Sequence, residues 1–329
     1  MIPASLLPNL RVPVVAAPMF LTSGPDLVVE TCRAGAIGTF PALNNRTTAG
    51  FADWLDEIAA RKGPEAAAHG VNLIVHRTNP RLEADLRVVV EKRVPLVITS
   101  LGAVPDLIRE VHAYGGVVFH DVISIRHARK AMEAGVDGLI AVCAGAGGHA
   151  GTLSPFALVS EIRQFFGGCV LLAGAINTGA QVFAARAMGA DLAYLGSRFM
   201  VADEAMIPDA QKQMMIDCTA ADIVYTDAIS GVHANFLRPS LVAAGLDPEN
   251  LVKTHGLDMN EEAKVWRDIW SAGQGVGGIT RTEPAAAIVA DLARGYAEAA
   301  AAAAADPFAA ALRPGRPARP DALGLTRSV

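Results

Sequence analysis

Charged residues make up only 19% of this 329-residue chain, aromatic residues only 5%, and its four cysteines share no close spacing. Each shortage excludes something. Cys32, Cys143, Cys169 and Cys218 contain no CxxC pair, so neither a zinc site nor a disulfide framework is indicated and a reducing compartment is expected. Cys143 reads as a small buried hydrophobe at a strand end. A formal charge of −5 without a basic stripe argues against nucleic acid or an anionic membrane as partner. No apolar run reaches the ~18 residues of a membrane span, and Met1 to Ser5 lack the charged start of a leader, so a cytoplasmic protein is expected. There is no HxH, HExxH or carboxylate cluster to hold a metal and no GxSxG elbow to present a nucleophile.

What the chain has is apolar residues, 52% of the total, arranged in a repeating order. Short runs rich in Val, Ile and Leu occupy 12–17, 36–40, 70–75, 96–99, 116–120, 138–142, 170–173 and 192–195. Each is followed by a Gly, Pro or Ser loop, and amphipathic helical segments follow seven of them, near 25–34, 51–61, 81–92, 105–114, 125–134, 155–166 and 180–188. Continuous apolar strands alternating with helices imply a parallel sheet covered on both faces. Eight units in roughly 200 residues favour a (β/α)8 barrel over an open doubly wound sheet. Gly35, Gly135 and Gly189 stand where helices should end. The barrel is expected over 1–208, a small inserted helical domain over 209–271, and a return loop with an Ala-rich helix over 272–305. A Pro- and Arg-containing tail, 306–329, has no core-forming composition.

The most informative stretch is Cys143-Ala144-Gly145-Ala146-Gly147-Gly148-His149-Ala150-Gly151, a strand-to-helix loop carrying one imidazole. Its glycines suit a backbone that a flat or phosphorylated ligand approaches closely. The loops after strands seven and eight, Ala173-Gly174-Ala175 and Gly196-Ser197, combine glycine with donors where barrels of this kind bind phosphate. Ala17-Pro18-Met19 and Thr99-Ser100 end other strands. Asn72, inside an otherwise apolar run, either meets a heteroaromatic edge or is a satisfied core amide. His120 and Asp121 are adjacent and point to opposite faces if their strand continues. Tyr225, His233 and Asn235 either lid the site or pack internally.

These motifs, in this order, resemble the nitronate monooxygenase family, formerly the 2-nitropropane dioxygenases, with flavin-type enoyl-acyl carrier protein reductases as relatives of the same arrangement. The quoted residues are Ala17-Pro18-Met19, Gly70-Val71-Asn72-Leu73, Ala146-Gly147-Gly148-His149-Ala150-Gly151, Gly174-Ala175-Ile176, Gly196-Ser197-Arg198-Phe199 and Gly273-Gln274. The resemblance implies an FMN-bearing TIM barrel with a helical insertion. It implies that Gly174, Gly196 and Ser197 hold the FMN phosphate, that Met19 and Asn72 line the flavin, and that His149 is the catalytic base. Ala17, Pro18, Thr99, Gly147, Gly148, Ala173, Ala175 and Gln274 complete the expected cofactor site. The reaction it implies is oxidation of an alkyl nitronate, or of a nitroalkane, by dioxygen to a carbonyl compound and nitrite. Two alternatives stay open: an NAD(P)H-dependent flavin reductase acting on an enoyl thioester or quinone, and a non-flavin barrel for a phosphorylated metabolite. The chain departs from the family pattern at Gly145, where relatives often carry Glu, at Ala175 in place of a second Gly, and at Asp121, where many carry Lys.

Overall fold

The computed structural model describes residues 1–253 and 266–308. The eight apolar runs form strands β1 (Val14–Ala16), β2 (Ile37–Pro41), β3 (His69–Ile74), β4 (Leu96–Ser100), β5 (Val117–Val122), β6 (Gly138–Val142), β8 (Cys169–Ala173) and β9 (Leu192–Leu195). A two-residue strand, β7 (Gly148–His149), lies in the loop after β6, outside this series. All eight pair in parallel, and β9 pairs back onto β1 to close a barrel, so the fold is a (β/α)8 barrel.

Local chemistry sets the helices between the strands. These are α1 (Pro25–Ala34), α2 (Thr48–Lys62), α3 (Leu82–Glu91), α4 (Pro105–Ala113), α5 (Ile125–Ala134), α6 (Pro155–Arg163) and α7 (Gly179–Ala187). Proline opens α1, α4 and α6, where the missing N–H is not needed. Side chains of Thr47, Ser124 and Thr178 cap α2, α5 and α7, the last in a capping box with Gln181.

Although the strands read as continuous apolar runs, their side chains divide by parity into two cores. Val15, Ile37, Leu96, Ile98, Phe119, Ile140, Leu171 and Leu192 fill the barrel interior. Their neighbours Val14, Ala16, Val71, Val97, Val118, Leu139, Val170 and Ala193 pack outward against the helices. The same parity decides which polar residues reach the mouth. Asn72, Ser100, Asp121 and Tyr194 share the inward parity near the C-terminal ends of their strands, whereas Thr99 and His120 face outward and bond each other, Thr99 Oγ1 to His120 Nδ1 at 2.8 Å.

The segment expected to be helical is mixed. After a short α8 (Ser197–Met200) in the barrel region, it begins with α9 (Asp209–Asp217), then forms an antiparallel hairpin of β10 (Ile223–Thr226) and β11 (Ala234–Leu237) before α10 (Arg238–Ala243). The hairpin follows from local composition, since Ile223-Val224-Tyr225-Thr226 is β-branched and aromatic. Its register is completed from elsewhere: β11 pairs antiparallel with β7, matching Ala234 to His149 and Asn235 to Gly148. The insertion therefore hydrogen-bonds the glycine loop itself. Residues 254–265 of the expected insertion, with His255, and 309–329 of the expected tail lie outside the described residues.

The Ala-rich segment forms α11 (Ala285–Ala304), which packs on α7 and α1. The contact with α7 is made backbone to backbone. A Cβ on Gly179 would sit 2.2 Å from Leu292 O and from Tyr296 N, and a Cβ on Gly295 would sit 3.3 Å from the Gly179 Cα. Only a residue without a side chain permits that approach. Gly179→Ala is therefore expected to destabilise the protein by about 1–3 kcal/mol, the usual cost of overpacking. Urea unfolding with an unchanged midpoint would show that α11 does not depend on this contact.

Candidate active site

A cavity of about 990 Å3 opens at the C-terminal face of the barrel. Ala17, Pro18 and Met19 after β1, Asn72 in β3, and Ala173, Gly174 and Ala175 after β8 all line it. So do Gly196 and Ser197 after β9, and Gly147, Gly148 and His149. The strand ends thus bring twelve of the expected site residues to one space. Two others stand elsewhere. Thr99 is fully buried on the outward face of β4 and spent on His120, so it does not line the cavity, and its inward neighbour Ser100 does. Gln274 lies behind the glycine loop, with its backbone N–H donating to Gly145 O at 2.9 Å.

The glycine loop is held from both sides. Gly148 N–H donates to Ser271 Oγ at 2.9 Å, Ser271 Oγ donates to Asn235 O at 2.5 Å, and Asn235 Nδ2 donates to Ala146 O at 2.6 Å. Tyr225 OH donates to Ala150 O at 3.0 Å while its ring stacks on His233 at 5.0 Å. On the other flank Gly273 N–H donates to Ser197 Oγ at 2.8 Å, which ties the return loop to the β9 loop. Gly145 has φ +87°, and a Cβ there would lie 3.0 Å from Gln274 Oε1. In this conformation any residue with a side chain would be strained.

His149 projects into the cavity with its ring edge-to-face against Trp266, centroids 5.5 Å apart. Burial pushes its pKa down to about 4, so the imidazole is neutral at pH 7 and able to accept a proton. Below it lies the inward polar layer. Asn72 Nδ2 donates to Ser100 Oγ at 2.8 Å and to Ile98 O at 3.3 Å, and Ser100 Oγ donates to Asp121 Oδ2 at 2.6 Å. The chain fixes the Asn72 amide with its NH2 turned to the barrel wall. Burial raises the Asp121 carboxyl to about 6, opposed by the Ser100 hydrogen bond, and burial beside Asp121 raises the Tyr194 hydroxyl.

The loops after β8 and β9 line the same cavity. Gly174 has φ +144° and Ala175, though not glycine, φ +54°, while a Cβ on Gly196 would meet only Met19 Sδ, at 3.9 Å. A phosphate can approach the Gly196 backbone without obstruction, and a flat heteroaromatic ring has an amide-lined floor at Asn72. The sequence reading missed Tyr194, Trp266, Ser271, Arg46, Arg81 and Arg267, all of which line the cavity. Tyr194 could have been found by continuing the parity of β9. The others come from loops and the insertion, which carry no period.

Fold and site together define a (β/α)8 barrel whose C-terminal cavity gathers glycine-rich loops, an inward-facing amide at Asn72 and a buried histidine. Comparison with known proteins narrows that class. The family model for nitronate monooxygenase matches residues 42–295, and the chain belongs to that family. It is 27% identical to a nitronate monooxygenase of Paraburkholderia phytofirmans, over 88% of this chain and 94% of that one. The solved nitroalkane oxidase of Streptomyces ansochromogenes superposes with a TM-score of 0.76 and 25% identity, covering 91% of this chain and all of that one, 100%. FabK of Thermotoga maritima shares the fold, with a TM-score of 0.76 at 24% identity over 91% of this chain and 97% of that one. Among the described residues no helix is long and apolar enough to cross a membrane.

Buried titratable groups set the acid stability. His69, His120 and His149 are each held at about 4 by burial, in His120 against an opposing bond from Thr99, whereas the unfolded chain protonates them near 6.5. As pH falls from about 6.5 towards 4 the unfolded state takes up protons that the native state refuses, so stability declines. Asp121 works the other way, since its native carboxyl protonates near 6 and the unfolded one near 3.8. Three imidazoles outweigh one carboxyl. The urea midpoint is expected to be lower at pH 5 than at pH 7, and a midpoint that rises on acidification would contradict the buried neutral histidines.

Proposed function

We propose that the protein is an FMN-dependent enzyme that oxidises alkyl nitronates, and nitroalkanes after deprotonation, with dioxygen to give a carbonyl compound and nitrite. The observation that carries the reading is that His149, neutral through burial, shares one cavity with the glycine loops after β8 and β9 and with Asn72. The residues present fit the cofactor: Gly174, Gly196 and Ser197 would hold its phosphate, and Met19 and Asn72 would line its ring system. FMN when bound supplies the redox chemistry, accepting electrons from the bound substrate. Family membership and the nitroalkane oxidase likeness support this reaction class.

The protein's own residues have separate tasks. His149 Nδ1 or Nε2 takes the α-proton of a neutral nitroalkane, a role open to it only in the uncharged form. The ring of Trp266 restricts that imidazole and shields it from water. A preformed nitronate arrives already deprotonated, so His149 then serves it only as a hydrogen-bonding neighbour. Ser271 and Asn235 hold the loop that carries His149, fixing its distance from whatever lies on Asn72. The protein is expected to act in the cytoplasm on a small-molecule substrate.

His149→Ala is expected to lower turnover of a neutral nitroalkane about 100-fold or more, in the range for loss of a general base, while turnover of the preformed nitronate falls much less. Steady-state nitrite release from the two substrates measures this. Equal losses on both would rule out the base role. The purified protein is also expected to be yellow, and anaerobic alkyl nitronate should change its visible spectrum. A spectrum that ignores the nitronate but is bleached at once by NADH or NADPH would assign the protein to the reductases.

A further inference from the structure

Asp121, near the C-terminal end of β5, is an acid without a counter-ion, forming no ion pair among the described residues. Its hydrogen-bond partner is Ser100, whose Oγ donates to Asp121 Oδ2 at 2.6 Å. Ser100 Oγ in turn accepts from Asn72 Nδ2 at 2.8 Å, and the same amide nitrogen donates to Ile98 O at 3.3 Å. The three side chains stand on the adjacent strands β5, β4 and β3, and two of them, Ser100 and Asn72, line the cavity.

The direction of each bond follows from which groups hold protons. Burial lifts the Asp121 carboxyl only to about 6, so at pH 7 it is mostly ionised and can only accept. The hydroxyl of Ser100 has one proton, and Asp121 takes it, so what Ser100 turns to Asn72 is a lone pair. Ile98 O is likewise an acceptor only. The Asn72 NH2 therefore faces the wall on both counts, and its carbonyl Oδ1 faces away from it. That oxygen accepts from no described residue and is not sealed within the protein, so it is presented to the cavity that Asn72 lines. Without Asp121 the Ser100 hydroxyl is free to rotate and donate to Asn72, and only the longer bond to Ile98 O opposes turning the amide over.

We propose that Asp121 is a positioning residue for ligand recognition: through Ser100 it holds Asn72 Oδ1 toward the cavity, so that the ring edge bound there is one that presents an N–H group. The inference rests on the reading of the cavity as a flavin site and deepens it, since the oxidised flavin ring carries a single N–H, the imide N–H between its two carbonyls. Any other polar edge of that ring sets an acceptor against the Asn72 oxygen and leaves both unmatched, which costs binding.

The test titrates the flavin-free full-length chain with FMN and with FMN methylated on the imide nitrogen, reading flavin fluorescence. The wild type is expected to bind the methylated flavin about tenfold more weakly or worse, the loss that an unmatched buried acceptor brings. Asp121→Leu and Ser100→Ala should bring the two affinities to within about threefold, mainly by weakening FMN, whereas Asp121→Asn, which keeps an oxygen for Ser100, should retain the wild-type preference. Equal affinities in the wild type, or a preference untouched by Asp121→Leu and Ser100→Ala, would overturn the proposal. A second measurement needs no flavin. In chain carrying isotope-labelled asparagine, the Asn72 side-chain amide is assigned in the NMR spectrum by its absence from Asn72→Asp. Its protons are expected to exchange with solvent about tenfold more slowly, or slower still, in the wild type and Asp121→Asn than in Asp121→Leu. Equal exchange rates would refute the positioning role, while slow exchange in a chain that takes up no FMN would defeat the flavin reading alone.

Discussion

The Ser271 hydroxyl ties the glycine loop of the barrel to the insertion. Ser271 Oγ accepts from the backbone of Gly148 and donates to the carbonyl of Asn235, and the Asn235 side chain returns a hydrogen bond to Ala146 O. A loop with four glycines in seven residues has more backbone entropy to lose than any other segment of the barrel. It holds one conformation because partners from the hairpin and the return loop occupy its polar groups, and β7 exists only as the edge that β11 completes. The imidazole of His149 is placed by that pairing. The insertion is therefore part of the site, although it lies outside the strand-helix rhythm.

The second constraint is parity. Inside the barrel, apolar layers give way at the mouth to Asn72, Ser100, Asp121 and Tyr194, and this change is made without interrupting any strand. Burying such groups is costly unless each is hydrogen-bonded. The relay from Asn72 through Ser100 to Asp121 meets that requirement with three side chains from three adjacent strands. Asp121 ends this hydrogen-bond chain as its acceptor, and Ser100 is the donor that makes its burial tolerable.

The barrel was legible because its signals are local and repeated. Eight apolar runs, Pro25, Pro105 and Pro155 opening helices, and glycines Gly35 and Gly135 closing them in left-handed caps each state a boundary. The loops of the site were legible for the same reason, since they are strand ends. Thr99 was misplaced by a single residue, because a run of Leu96-Val97-Ile98-Thr99-Ser100 is apolar on both faces and hides which side is inward. The hairpin was hidden differently. β11 finds its partners in β10 and in two residues of a loop more than 80 positions earlier, a long-range pairing that leaves no periodic trace. Arg46 and Arg267 were invisible as cavity residues for the same reason: each is one charged residue in a polar loop until closure of the barrel and docking of the insertion bring it to the cavity wall.

Charge placement then becomes an argument about the ligand. An acidic protein repels anions over most of its surface, and among the described residues the cavity lining carries Arg46, Arg81 and Arg267 but no Asp or Glu, with Asp121 held beneath it by Ser100. The floor of the same cavity works on short-range hydrogen bonds and a neutral imidazole, which do not attract from a distance. Capture and chemistry are thus divided by depth. Exposed guanidinium groups at the rim attract anions over distance, and the interior acts through desolvation and positioning. Since desolvation is what keeps His149 uncharged, a cation placed deep enough to grip the substrate there would stabilise bound anion but depress the imidazole further. Holding the arginines at the rim, with Arg81 committed to Asp85, lets one cavity attract an anion and still keep a base able to accept a proton.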